Sequence, residues 1–201
     1  MGITDSITPK SIKEKFLNLF IPISGFLSKR RVSPNIITFL GTLISFFAGF
    51  LFYLGQTLLA GLSVILSGFM DIIDGQVAKL SGKETRFGGV LDSSLDRYSE
   101  IFIYIGISLL FFRKGDELTS FMTILALIGS MLVSYVKARA EGAGIPLKSG
   151  FFQRAERFFF ISSGGILGVE ILKVFMYIIA LVSHITAIQR IVMAKIYVKE
   201  D

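Results

Sequence analysis

Residues 71–96 read DIIDGQVAKLSGKETRFGGVLDSSLD. Asp71 and Asp74 lie three apart, and Asp92 and Asp96 lie four apart. Both spacings place a pair of side chains on one face of a helix. Apolar runs flank the stretch, GTLISFFAGFLFYLGQTLLAGLSVILSGFM before it (41–70) and IFIYIGISLLFF after it (101–112). The turn at Gly82 joins two helices that are expected to pack as antiparallel neighbours. A carboxylate at mid-membrane costs about 2.5–3.5 kcal/mol on the insertion scale. Four unpaired carboxylates would cost on the order of 10 kcal/mol, comparable to a domain's net stability. Something must offset that cost, and bound divalent cations are the natural candidate.

The composition agrees with a membrane setting. The 201 residues are 52% hydrophobic, with a mean hydropathy of +0.68, too apolar for a water-soluble domain of this length. There is no cysteine, which excludes disulfides and thiolate metal sites. The single histidine, His184, excludes a His-rich zinc site. Carboxylates remain as metal ligands, and they suit hard cations such as Mg²⁺, Mn²⁺ or Ca²⁺. The N-terminal MGITDSITPKSIKEKF lacks the basic-then-apolar order of a signal peptide.

Hydropathy predicts an all-α membrane protein with six transmembrane helices, near 35–54, 57–79, 89–112, 118–140, 155–170 and 172–193. The fifth is short and glycine-rich. Before them, Ile12, Phe16, Leu19, Phe20 and Ile23 recur at helical spacing among Lys10, Lys13 and Lys15. That pattern predicts an amphipathic helix on the membrane surface within a juxtamembrane segment, 1–33. Residues 34–201 form the six-helix domain, which Pro34 opens near a helix N-terminus. With the N-terminus inside, only Arg113, Lys114 and Lys173 of the 21 basic residues fall on the outer face. This asymmetry predicts a multi-pass protein of the cell (plasma) membrane, with both termini and the aspartates on the cytoplasmic side. The net charge of +6 thus serves topology, and no nucleic-acid partner is expected.

On spacing alone, three readings of the aspartates stay open. Facing helices of a bundle hold two metal ions in this way. A buried ion network would pair the aspartates with Arg86, Arg97 and Lys79. An ion pathway, as in a divalent-cation transporter, would also carry intramembrane acids. Gly75 and Gly88 remove side chains where a ligand can approach the backbone. Gly164, Gly165 and Gly168 suit close helix packing, and His184 reads as a helix-packing polar residue.

The pattern Asp71-x2-Asp74-Gly75-x2-Ala78-Lys79-x8-Gly88-x3-Asp92-x3-Asp96 resembles the signature of the CDP-alcohol phosphotransferase family. One position departs from it, because the family usually has arginine where this chain has Lys79. Lysine keeps the charge but loses bidentate phosphate contact. A second stretch, SYVKARAEGAGIPLKSGFFQRAERFFF (134–160), and Gln189-Arg190 resemble the corresponding parts of bacterial phosphatidylinositol phosphate synthases.

The resemblance implies transfer of a phosphatidyl group from CDP-diacylglycerol to an alcohol, releasing CMP, with two Mg²⁺ or Mn²⁺ ions as cofactors. It implies that Asp71, Asp74 and Asp92 bind one ion and that Asp71, Asp92 and Asp96 bind the other, Asp96 also serving as catalytic base. It places Gly75, Ala78 and Lys79 in the CDP pocket, with Asn35 and Thr38 near the nucleotide. Helix capping is the alternative for Asn35 and Thr38. Lys137, Arg139, Arg154, Arg157 and Arg190 come from three segments and suit a phosphate-bearing acceptor. Inositol 1-phosphate is the expected acceptor, and Glu156 is expected to pair with a neighbouring arginine. Glycerol 3-phosphate as acceptor, as in a phosphatidylglycerophosphate synthase, is the nearest rival. A lipid donor of the CDP-archaeol type would leave the same site. Membrane lipids are expected partners, and the family implies a homodimer.

Overall fold

The computed structural model describes residues 17–147, 150 and 152–200, and these residues form an all-helical bundle. Its seven described helices are α1 (Ile21–Lys29), α2 (Pro34–Tyr53), α3 (Thr57–Leu80), α4 (Arg86–Arg113), α5 (Glu117–Gly142), α6 (Arg154–Leu167) and α7 (Val169–Glu200). Local chemistry sets the breaks. Pro34 fills the first turn of α2, where its missing N–H costs nothing. Gly82, at φ +62°, follows α3 and turns the chain. Thr85 then caps α4, accepting the Gly88 N–H at 2.9 Å. Gly168, at φ +110°, is the sole residue between α6 and α7.

Helices α2, α3, α5 and α7 are long and apolar enough to cross a membrane. The other two expected spans differ for separate reasons. Helix α4 has 28 residues, but Asp92, Asp96 and Arg97 lie in its first half and Glu100 at its middle. Helix α6 has 14 residues, about 21 Å at 1.5 Å per residue, against a hydrocarbon core of about 30 Å. Of the expected surface helix, Lys10, Ile12, Lys13, Lys15 and Phe16 lie outside the described residues. In the part described, α1 packs on α3 and Phe20, just before it, sets its ring centroid 5.0 Å from that of Phe69. Leu19, Ile21, Ile23 and Phe26 stay exposed.

The bundle is apolar outside as well as inside. Phe39, Phe47, Phe50, Phe121, Leu181 and Ile188 project from its surface, as side chains facing lipid do. Inside, Phe52, Val64, Ile103, Ile107, Ile161 and Met176 pack together. Buried hydroxyls satisfy one another across helices. Ser45 and Ser67 are 2.6 Å apart, Tyr104 and Ser130 3.0 Å, and Ser108 and Ser120 2.9 Å. His184 packs similarly, its Nε2 3.2 Å from the Leu125 carbonyl oxygen.

Helices α3 and α4 do not pack as neighbours. Each packs along α2, while α6 packs on α3, and α5 on α4 and α7. The carboxylates at 71, 74, 92 and 96 fill the space that a close α3–α4 contact would occupy. Glycines set how tightly the frame closes around that space. A Cβ at Gly49 or Gly106 would collide with the facing backbone of α4 or α2. A Cβ at Gly61 would lie 2.7 Å from the Ser162 carbonyl oxygen, and one at Gly165 2.9 Å from that of Thr57.

Charge separates along the bundle. At the end holding the 54–56 and 114–116 turns, Arg113 donates to the Tyr53 carbonyl oxygen at 2.8 Å and Lys173 pairs with Asp116. The hydrogen bond from Lys173 holds the Asp116 carboxyl below the usual carboxylate range.

Overpacking costs about 1–3 kcal/mol in ordinary cores, and a backbone-on-backbone clash belongs at the top of that range. Gly106→Val is therefore expected to lower the melting temperature in detergent by several degrees. Gly75→Ala meets nothing within 4 Å and gains about 1 kcal/mol of helix propensity, so it should melt at or above the wild-type temperature. Circular dichroism checks both.

Candidate active site

Among the described residues, charged side chains collect inside the bundle in the gap between α3 and α4. Asp71 and Asp74 enter it from α3, and Asp92, Asp96 and Glu100 from α4. Ligand oxygens of Asp71, Asp92 and Asp96 lie within 4.8 Å of one another. Asp74 sits deeper, 5% exposed. With Thr38, Thr42, Ser67, Ser99, Asp71, Asp96 and Arg154 it lines a cavity of about 10 Å³, room for roughly one water-sized sphere.

Arg154, the first residue of α6, reaches across the gap. Its Nη1 is 2.7 Å from Asp71 Oδ1 and 2.8 Å from Asp96 Oδ1. Its Nε is 3.5 Å from Glu100 Oε1, and its guanidinium carbon is 4.7 Å from the Phe158 ring centroid. Arg97 contributes only a loose contact, 3.8 Å from Asp96. Among the described residues, neither Lys79 nor Arg86 forms an ion pair with the aspartates. The expected ion network therefore takes a different form, built on an arginine from α6.

That network does not satisfy the carboxylates. Asp74 Oδ2 and Asp92 Oδ1 are buried without a hydrogen-bond partner. Orphaned carboxylate oxygens inside a bundle are costly. An all-oxygen donor set of this kind fits a hard divalent cation, so the residues present suit the metal that was one of the readings open on spacing.

The remaining expected residues distribute around this centre. The Thr38 hydroxyl is buried and donates to the Pro34 carbonyl oxygen at 3.1 Å. Asn35 is exposed, and its Oδ1 would be 3.7 Å from a Cβ at Gly88. Neither residue caps α2, whose N-cap is Ser33. Gly75, Ala78 and Lys79 continue along α3 from the aspartates, with Gly75 and Lys79 exposed. Lys137 lies 3.7 Å from Glu141, both side chains about half exposed, and Arg139 is exposed beside them.

Arg157 and Arg190, also expected to meet the acceptor, are both buried. Arg157 is 1% exposed, and its Nη2 donates to Glu100 at 2.9 and 3.1 Å. Arg190 is 4% exposed and donates to the Val133 carbonyl oxygen. A Cβ at Gly150 would lie 2.8 Å from Arg190 Nε, so a glycine lets the chain close over it. Glu156 pairs with no arginine among the described residues. It accepts the Gln153 N–H at 2.9 Å and caps α6.

Sequence reasoning missed Glu100, the buried partner of Arg157. Its signal was a position four residues beyond Asp96, on the same helix face, inside an apolar run. It also missed Thr42, Ser67 and Ser99, which lie around the cavity and whose residue types carry no signal by themselves.

The family model for CDP-alcohol phosphatidyltransferases matches residues 31–189, and the chain belongs to that family. It is 39% identical to an archaetidylinositol phosphate synthase of Pyrococcus horikoshii, over 86% of this chain and 89% of the relative. It is 33% identical to a phosphatidylinositol phosphate synthase of Streptomyces avermitilis, over 88% of this chain and 78% of the relative. A Mycobacterium tuberculosis phosphatidylinositol phosphate synthase solved with CDP-DAG bound superposes with a TM-score of 0.81 at 31% identity. That match covers 88% of this chain and 94% of the other. The same enzyme solved with manganese and citrate superposes with a TM-score of 0.79, covering 86% and 87%. The chain is accordingly a transferase of the CDP-alcohol phosphatidyltransferase kind.

A ligand at 100 times its dissociation constant stabilises the folded state by about 2.7 kcal/mol. Saturating Mg²⁺ should thus raise the melting temperature by several degrees. Asp92→Asn should abolish that rise, while Asp116→Asn, at the opposite end of the bundle, should keep it.

Proposed function

We propose that this protein transfers a phosphatidyl group from CDP-diacylglycerol, or its archaeol counterpart, to inositol 1-phosphate, giving a phosphatidylinositol phosphate and CMP. One observation carries the acceptor reading. Arg154 places a guanidinium directly against the aspartate cluster, 2.7 Å from Asp71 and 2.8 Å from Asp96. A guanidinium there can meet the phosphate of the acceptor while its hydroxyl lies at the reacting centre. An uncharged acceptor such as serine would bring no phosphate for that guanidinium to meet. The names of the relatives at 39% and 33% identity support the same acceptor.

Asp71, Asp74, Asp92 and Asp96 would hold two divalent ions, Mg²⁺ or Mn²⁺. When bound, such ions neutralise a pyrophosphate and stabilise the departing phosphate. The acceptor hydroxyl oxygen attacks the lipid-bearing phosphorus of the CDP-lipid. The bond from that phosphorus to the bridging oxygen breaks, and CMP leaves with the bridging oxygen. Asp96 takes the hydroxyl proton and passes it to solvent. Gly75, Ala78 and Lys79 line the CDP side, with Asn35 near the nucleotide and Thr38 beside Asp74. Gly75 is suited to this, because nothing in the fold fills the space a Cβ there would enter. Lys137 and Arg139 draw the phosphorylated acceptor toward Arg154, and buried Arg190 supports the same end.

The reading includes the membrane arrangement. Helices α2 to α7 are the six spans, with α4 and α6 tolerated because their short or charged parts face protein rather than lipid. Both termini and the aspartates face the cytoplasm, as the bias of basic residues toward that side requires. Residues 17–29 lie along the cytoplasmic surface of the cell membrane. The protein works as a homodimer, as the family resemblance implies.

CMP release by purified protein with CDP-diacylglycerol and Mg²⁺ tests the reading, comparing inositol 1-phosphate, glycerol 3-phosphate, free inositol and serine. Release with inositol 1-phosphate alone is expected. Release with glycerol 3-phosphate instead would keep the chemistry and overturn the acceptor. Asp96→Asn should lower turnover by about 10²-fold or more while leaving CDP-lipid binding in place. Undiminished turnover would remove Asp96 as the base.

A further inference from the structure

Glu100 is a buried acid that neither the metal-ligand spacing nor the acceptor cations account for. It lies four residues beyond Asp96 on α4 and is 1% exposed. Both its oxygens accept from Arg157 Nη2, at 2.9 and 3.1 Å. Its Oε1 is also 3.5 Å from Arg154 Nε, an ion pair rather than a hydrogen bond. Arg154 and Arg157 are three apart on α6, so one helix face presents two guanidiniums to one carboxylate.

The consequence falls on Arg154. Its Nε edge faces Glu100, the Phe158 ring lies 4.7 Å from its guanidinium carbon, and its Nη1 reaches the aspartates. Arginine has large rotamer freedom, and ordering it before a ligand arrives lowers the cost of binding. A carboxylate that served only to neutralise Arg157 would have no need to sit within reach of Arg154.

We propose that Glu100 is a positioning residue for the acceptor. It holds the Arg154 guanidinium over the aspartate cluster and is itself fixed by Arg157. The proposal rests on the acceptor reading above and adds a residue that the signature does not contain.

Three variants test it: Glu100→Gln, Glu100→Asp, and the exchange Glu100→Arg with Arg157→Glu. The readouts are KM for inositol 1-phosphate, KM for CDP-diacylglycerol, melting temperature, and the rate at which phenylglyoxal modifies Arg154, located by peptide mass. Glu100→Gln should raise the acceptor KM about tenfold, the scale of one lost charge-assisted contact. It should leave the CDP-diacylglycerol KM unchanged and make Arg154 react several-fold faster. Glu100→Asp should recover most of both effects. The exchange should restore the melting temperature, because the buried pair is rebuilt, yet neither the acceptor KM nor the protection of Arg154.

An exchange that restores everything, or an Arg154 that reacts at the wild-type rate in Glu100→Gln, would overturn the proposal. Should Glu100→Gln fail to fold, the exchange decides the matter. If the wild type released no CMP with inositol 1-phosphate, the acceptor reading would fall, and the reactivity of Arg154 would still decide whether Glu100 positions it.

Discussion

Carboxylates placed inside an apolar bundle must find positive charge, and the architecture of this protein follows from that requirement. Four aspartates and Glu100 converge between α3 and α4, and among the described residues two guanidiniums come within hydrogen-bond distance of them. Arg154 takes Asp71 and Asp96, while Arg157 takes Glu100. Breaking a buried pair of the second kind costs about 3–5 kcal/mol, because the survivor is left uncompensated. Asp74 and Asp92 still carry orphaned oxygens. The shortfall is what makes the place a cation site rather than a closed structural network.

The scaffold serves the gap by being tight everywhere else. Helix α2 is the common wall on which both α3 and α4 pack, and Gly49 against Gly106 brings α2 and α4 to backbone contact. Gly61 against Gly165 does the same for α3 and α6, the helix that carries Arg154 and Arg157 to the aspartates. Small hydroxyls from Thr42, Ser67 and Ser99 lie around the cavity, so polar groups meet polar groups where the charges are. In lipid, such packing and internal hydrogen bonding take over from hydrophobic burial as the source of cohesion.

The aspartates were legible in the sequence because helical spacing repeats every three to four residues and carboxylates stand out in apolar runs. The breaks at Pro34 and Gly82 were legible for equally local reasons, whereas Gly168, expected as a packing glycine within the fifth span, turns the chain between α6 and α7 instead. Two further matters were not legible. That α3 and α4 stand apart depends on the bulk of side chains meeting in space, which no spacing reports. That Arg157 turns inward depends on Glu100, which lies 57 residues away along the chain. A basic cluster in a sequence does not show which of its members faces substrate and which neutralises a buried acid. The fold assigned Arg154 to the centre and Arg157 to the frame.

The claim beneath this account is that the carboxylates hold a pair of divalent ions. Titration of purified protein with Mn²⁺, followed by electron paramagnetic resonance, tests it most directly. The account predicts about two ions per chain, with spectra broadened by mutual coupling as expected for metals roughly 3.5–4 Å apart. Both should be lost when Asp71 and Asp92 are replaced together by asparagine. A single uncoupled ion, or binding that survives the double replacement, would contradict it.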